Sequence, residues 1–382
     1  MNGDEILSQA RERLTEAVLA NPSTEPLPPA LEVSPWLAMS LLQKAIRRGR
    51  TELALRAAAT LLTDAPDRLW RRLGIIAFED VGVADLETLS LTTAALTGKS
   101  HRAKLGGEWA VARTLISRMA EAPKCRAADD LVMVVQHHPG LRQARDELME
   151  LTTRELVHLA TGSAPLLERA LALWLAIGTV RCPSDHLPLR CGEPDAVFDT
   201  LCDAGLPDTA VEVCREGLRK LGLILCPLVS LLTPMRMTEP AHLTDDELPP
   251  ELPVGGVPSW AYDMFVREGR QAMRVFLQQD SATARWIRRH VPPTQHAEVL
   301  GNLLFAAEGG LLSSRLDWPT GAEVRRLAEH ESQGPHCPEG AEVIALLRGD
   351  LPLLNRIRAQ VGSREPRPGP CDCRQTMVGD AR

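Results

Sequence analysis

Several groups of residues in this chain have types and spacing suited to chemistry, and each also has a plain structural use. Thr97-Gly98-Lys99-Ser100 ends like a phosphate-binding loop, in which glycine lets backbone amides wrap a phosphate and lysine neutralises it. The first glycine of that pattern would fall at position 93, which is Thr93. Helical periodicity precedes the motif where a strand is required, and no apolar strand ending in aspartate accompanies it. The segment is expected to end a helix, and no ATP hydrolysis is expected of the chain. Cys182 and Cys191 bracket His186, His336 adjoins Cys337, and Cys371 is followed by Cys373. Structural zinc wants two close ligand pairs that close a tetrahedron. None of these fragments has an evident second half, so no metal and no other cofactor is expected. Cys202, Cys214 and Cys226, at twelve-residue steps, read as thiols in helix cores. Ser259, after Gly255-Gly256-Val257-Pro258, lacks the strand-turn-helix setting of a nucleophile, and His137-His138 reads as a helix stop. No catalytic residue is assigned.

Charged residues give three further candidates. Arg47, Arg48 and Arg50 close one helical segment, Arg68, Arg71 and Arg72 open another, and Lys99, Arg102 and Lys104 occupy a loop. Gathered on one face they would form a nucleic-acid or partner surface, although arginines at helix ends also oppose the helix dipole and solvate an exposed face. Tyr262, Asp263, Arg267 and Arg270 follow a Gly-Gly-Val-Pro run and stand at helical spacing, as a functional surface or as the start of a docking helix. Glu79, Asp80, Gly82 and Asp85 belong to a turn between helices. The acidic pair is expected to hold that turn by taking freed amides or by pairing with arginines such as Arg71 or Arg72.

The elements that must position these residues are helices. Apolar residues recur at three and four positions nearly everywhere, which is the mark of amphipathic helices, and strands are hard to find. Leu41, Leu42, Ala45 and Ile46 form one stripe that Gly49 is placed to end. Leu53, Ala57, Leu61 and Leu62 form the next, followed by a turn at Asp64-Ala65-Pro66-Asp67 that supplies a side-chain cap and a proline suited to a first turn. Leu69, Trp70, Leu73, Ile76 and Ala77 form a third helix ending near Gly82, and Asp85 can cap a fourth over 86–96. Two more run through Trp109 to Met119 and through Leu131 to Val135.

The 382 residues are 44% hydrophobic and 24% charged, as in soluble globular proteins, and enough for two or three domains. The net charge of −7 opposes a broad coating of nucleic acid. The amino-terminal residues carry acids without an apolar core and do not read as a secretory signal. The most apolar stretch, 166–180, falls short of a bilayer span and contains Glu168 and Arg169, so no membrane association is expected. Nine scattered cysteines suit reduced thiols in the cytoplasm. The expected organisation is an all-α, multi-block helical array: residues 1–140, a second block at 141–232, a Pro/Gly-rich linker or ordered loop at 233–258, a third block at 259–360, and a disordered tail at 361–382. No repeat of 20–50 residues emerges.

Three segments in fixed order carry a resemblance: LLQKAIRRG at 41–49, LWRRLGIIAFEDVGVAD at 69–85, and EWAVARTLISRMAEAPKCRAADD at 108–130. The region 38–139 resembles the helical C-terminal region of the RarA/MgsA ATPases, bacterial relatives of the Werner-helicase-interacting ATPase that act at stalled replication forks. In that family the central segment reads close to ASEDIGLAD; here it is AFEDVGVAD. The resemblance covers about a quarter of the chain and none of the ATPase core. It implies a clamp-loader-type helical domain and a homo-oligomer, since the corresponding helices hold the family's tetramer. The expected function is a non-enzymatic adaptor in replication, repair or mobile-element maintenance, engaging an ATPase encoded elsewhere. A DNA-binding protein using the first block's arginines, and an enzyme sited near Tyr262 and Asp263, are the alternatives.

Overall fold

A computed structural model describes residues 3–20, 26–331 and 340–362, and it is all-α. The first block opens with α1 (Gly3–Ala20), whose Ile6, Ala10, Leu14 and Val18 face inward at helical spacing. Helix α2 (Pro35–Arg47) starts at Ser34, whose hydroxyl accepts the Leu37 amide, and stops before Gly49 at φ 64°. Helices α3 (Thr51–Asp64) and α4 (Pro66–Ile76) follow. Pro66 takes the first turn of α4 as expected, but Asp64 caps nothing: it ends α3, and the cap position is Ala65. The helix then widens into a π turn at Ala77–Val81, and α5 (Leu86–Ala95) begins where Asp85 accepts the Thr88 amide. A short α6 (Lys99–Lys104), α7 (Glu108–Glu121) and α8 (Ala127–His137) complete the block.

Helices α9 (Arg142–Met149), α10 (Thr153–Thr161), α11 (Leu166–Ile177), α12 (Pro194–Asp203), α13 (Asp208–Leu221) and α14 (Leu225–Thr238) come next. Every residue of α11 from Ala170 to Ile177 is buried, and no helix among the described residues is long and apolar enough to cross a membrane. Helix α14 carries Pro234 inside it and runs to Thr238, past the point where composition predicts a break. Proline removes one amide donor but does not bar a final turn.

The segment expected as a linker or ordered loop is an ordered one with short strands. Strand β1 (His242–Thr244) pairs antiparallel with β4 (Arg315–Asp317), Leu243 opposite Leu316. Strands β2 (Pro253–Val254) and β3 (Val257–Pro258) form a hairpin about Gly255 and Gly256, at φ 54° and 81°. Left-handed values at both turn residues match the twist of a two-residue hairpin. Then come α15 (Arg267–Leu277), α16 (Ala282–His290), α17 (His296–Leu304), a second π turn at Phe305–Gly309, α18 (Pro319–His330) and α19 (Gly340–Gly362). Helix α19 passes the expected start of the tail; residues 363–382 lie outside the described residues.

One apolar cluster runs from Ala10 to Ala328, so residues on both sides of position 140, such as Val135 and Trp174, share a core. A smaller cluster joins α15, α16, α17 and α19 through Phe276, Ile287, Leu300 and Leu354. Helix α15 starts against the backbone of Asp263, where a Cβ on Gly269 would collide with the Asp263 carbonyl. Gly349, in contrast, sits on α19 with open space around it. Gly349→Ala is expected to stabilise by about 0.5–1 kcal/mol, and Gly269→Ala to cost about 3 kcal/mol or more. Urea melts of both variants check this; equal effects would refute the close approach.

Candidate functional site

Helix α2 carries Gln43, Lys44 and Arg47 at one end of the first block, and all three are buried. The π turn brings Glu79 and Asp80 to them. Arg47 Nε donates to Asp80 Oδ1 at 2.7 Å, and its Nη2 donates to Glu79 Oε1 at 2.8 Å. Gln43 Nε2 donates to Asp80 Oδ2 at 2.9 Å. From the start of α8, Arg126 Nη1 reaches Glu79 at 2.9 Å and Asp80 at 2.6 Å, while Nη2 binds Asp129. Asp80 has no exposed surface. Burial pushes Glu79 up, but the guanidiniums of Arg126 and Arg47 outweigh it and hold its carboxyl at about 2. Gly82 closes the turn at φ 51°, with the Cys125 carbonyl where a side chain would begin.

The third block docks on the same cluster. Arg47 Nη1 donates to the Gly309 carbonyl at 2.8 Å, and Arg48 Nη2 donates to the Glu308 carbonyl. Both acceptors belong to the second π turn. Phe305 in that turn offers its ring to Arg47 at 5.4 Å and Arg126 at 5.0 Å, and Arg48 lies 4.4 Å from the Trp260 ring. The Glu308 carboxylate takes Arg358, which also donates to Asn355 at 2.9 Å. Beside this, Lys44 pairs with Asp263 and donates to Ser40 Oγ at 2.8 Å. Burial pulls Lys44 down to about 8 against the attraction of Asp263. At neutral pH it is still an ammonium ion, with no lone pair to take a proton from Ser40. The Ser40 hydroxyl also donates to Asp263 Oδ2 at 3.0 Å, so Ser40, Lys44 and Asp263 form one closed set of contacts that joins α2 to the segment before α15.

The expected basic surface is divided. Arg47 and Arg48 are 3% and 7% exposed and face inward, and Arg102 is buried, donating to Glu108 at 2.9 Å and lying 4.0 Å from the Trp70 ring. These three do not form a phosphate-facing surface, because internal carboxylates, carbonyls and rings take their guanidiniums. Arg50 is exposed and pairs with Glu251 at 3.2 Å. Arg68 lies 4.8 Å from the ring of half-exposed Trp36, and Lys99 and Lys104 are exposed. Arg71 donates to the Leu221 carbonyl and Arg72 to Gln43, so neither pairs with Glu79 or Asp80 in the way the local spacing suggests.

Tyr262 is buried and donates to the Val254 carbonyl at 3.1 Å, and Asp263 turns to Lys44, while Arg267 and Arg270 are exposed. The four therefore split between a docking contact and a surface. Thr97 and Gly98 link α5 to α6, and Lys99 and Ser100 open α6, with no strand before them; Lys99, Arg102 and Lys104, expected in a loop, thus lie on a short helix. His138 Nδ1 accepts the Gly140 amide as a helix stop. Of the thiols expected in helix cores, Cys214 and Cys226 are buried and Cys202 is only half-buried; Cys182 is buried as well, and no metal-ligand cluster occurs among the described residues. His336, Cys337, Cys371 and Cys373 lie outside them. A groove of about 940 Å3 lies elsewhere, between α1, α12 and α13, where Arg215 pairs with Asp199 and Arg219 with Glu216.

Gln43, Lys44, Arg126, Asp129 and Glu308 are participants that spacing does not disclose. Arg126 had one local signal: a cation at a helix start opposes the dipole, so it must be held by nearby acids. Comparison with family models, curated proteins and solved structures finds no match to the chain.

Removing Asp80 would leave Arg47 and Arg126 buried and under-neutralised. Asp80→Ala should cost about 3–5 kcal/mol, read from chemical denaturation; a loss below about 1 kcal/mol would contradict its central place. Acid–base behaviour adds a second expectation. Asp130, half-buried beside Asp129, is pushed up to about 7 by burial, although Arg126 opposes this. A raised carboxyl means the folded state binds more protons than the unfolded one, whose aspartate titrates near about 3.9. Stability contributed by Asp130 is therefore present at low pH and lost as pH rises from about 4 through 7. Asp130→Asn should flatten that decline in denaturation midpoints; an unchanged pH profile would refute it.

Proposed function

We propose that this chain is a non-enzymatic, self-associating adaptor that acts in the cytoplasm in DNA replication, repair or mobile-element maintenance. Its first block is proposed to be a free-standing counterpart of the RarA/MgsA oligomerisation region, engaging an ATPase supplied by another chain. One observation supports the reading above the rest. The three separated segments that carry the resemblance converge on a single buried ion cluster: Gln43 and Arg47 from the first, Glu79 and Asp80 from the second, Arg126 and Asp129 from the third. Residues that neutralise one another must be kept together, so the three likenesses amount to one physical unit. In that unit the charges neutralise one another, which suits contact with partners better than turnover of a substrate.

Trp36 gives the reading a residue to test. It is 55% exposed, with the Arg68 guanidinium over its ring, and tryptophan and arginine are the side chains that most often dominate protein interfaces. Light scattering on the full chain at tens of micromolar should give a mass above the monomer, and Trp36→Glu should lower it. Monomeric behaviour of the unaltered chain at that concentration, where micromolar interfaces are populated, would sink the proposal. Mg-ATP should leave the melting temperature unchanged, whereas a nucleotide at a hundred times its dissociation constant would stabilise by about 2.7 kcal/mol.

A further inference from the structure

The third block carries a charge pattern opposite to that of the chain. Between residues 267 and 290 there are six arginines and two carboxylates, a local charge of +4 in a protein of net −7. Helix α15 buries Gly269, Ala272, Met273 and Phe276. Its outer stripe, at spacings of three and four, is Arg267, Arg270 and Arg274, all exposed. Helix α16 buries Thr283, Ala284 and Ile287 and exposes Arg285, Arg288 and Arg289. The two helices pack on each other and on α19. Arg288 Nη1 donates to the Gln279 carbonyl at 2.9 Å, which draws the α16 arginines to the end of α15.

These arginines differ from Arg47, Arg102 and Arg126, whose guanidiniums meet buried or half-buried carboxylates. Arg285 alone has a carboxylate partner, Asp280. Arg270 and Arg288 reach backbone carbonyls, which leaves their charge uncompensated. Arg267, Arg274 and Arg289 make no hydrogen bond or ion pair within the described residues. Repulsion among like charges disfavours such a face unless an anionic ligand neutralises it.

We infer that the outer arginine face of α15 and α16 binds the phosphate backbone of nucleic acid. The stripe from Arg267 to Arg274 is about 10 Å long at 1.5 Å per helical residue, which matches about three phosphates of a strand at 3.4 Å of axial rise each. Guanidinium groups suit phosphate oxygens because their planar fork can donate twice. An anionic lipid surface fits less well. A basic helix that lies on a membrane inserts its apolar face, and here that face of α15 is buried in the core through Met273 and Phe276. This inference stands apart from the adaptor reading, since it uses none of the residues of the first block.

The experiment uses the full chain, with fluorescence anisotropy of a labelled 20-base-pair duplex from 50 to 200 mM salt. Binding is expected in the micromolar range at 50 mM salt and should weaken steeply, because each neutralised phosphate contributes a slope of about −0.9. The triple variant Arg267→Ala, Arg274→Ala, Arg289→Ala should weaken binding at least tenfold at 50 mM salt and flatten the slope by about 2.7. These side chains are exposed and unpaired, so its melting temperature and its mass by light scattering should match the unaltered chain. The pair Arg13→Ala, Arg56→Ala, exposed elsewhere, should change neither affinity nor slope. Absence of duplex binding at 50 mM salt, an equal loss in the control pair, or capture by phosphatidylserine vesicles without duplex binding would each overturn the inference. A change of oligomer mass in Trp36→Glu with duplex binding intact would bear on the adaptor reading alone.

Discussion

A carboxylate with no exposed surface must be neutralised where it stands, and Asp80 is such a group. Removing it from water costs several kcal/mol, an expense recovered only when donors meet it at good geometry. Arg47, Arg126 and Gln43 supply three such donors. That requirement fixes the ends of three elements at once: the last turn of α2, the widening of the helix after Ile76, and the start of α8. It also fixes Gly82, which must leave room for the Cys125 carbonyl. The docking of the third block is a further consequence, since the donor of Arg47 left over from the carboxylates is taken by the carbonyl of residue 309, and neighbouring Arg48 donates to that of residue 308.

Two π turns meet at this cluster, and such turns are rare and concentrate where geometry is put to special use. Here the use is joining. One widened turn presents adjacent acids to arginines from two helices; the other leaves carbonyls free to receive the remaining donors of Arg47 and those of Arg48. Ser40, Lys44 and Asp263 extend the seam, and each satisfies another. The outcome is a solid hub in which charge and backbone carbonyls together hold blocks in place.

Much of this was legible in the residues. Periodicity placed six of the eight helices α1–α8, but not α1 or the short α6; Gly49 and Asp85 marked an end and a start, and the acidic pair before Gly82 read as a structural turn. What stayed hidden was the direction of the long basic side chains. An arginine near a helix end has the same local description whether it turns to solvent or to a carboxylate. Arg47 and Arg48 turn inward because of atoms in a segment 262 and 260 residues away, which no local pattern encodes. Arg102 is buried by Glu108 and by the face of Trp70, another contact outside its own turn. Pro234 misleads for a different reason: composition reports the missing donor but not the packing that keeps the chain helical around it. The split of Tyr262 and Asp263 from Arg267 and Arg270 follows from the same rule, since a buried partner for Asp263 exists only in the folded chain.

The separation between Arg47 and the Gly309 carbonyl that completes its set of acceptors has a meaning for how the protein is made. A ribosome adding about 5–20 residues per second emits residue 309 roughly 13–50 s after residue 47. Throughout that interval the nascent first block holds two arginines whose final acceptors do not yet exist, beside aromatic and apolar surface that the third block will cover. Synthesis of the third block, more than collapse of the first helices, is therefore the event that closes this seam.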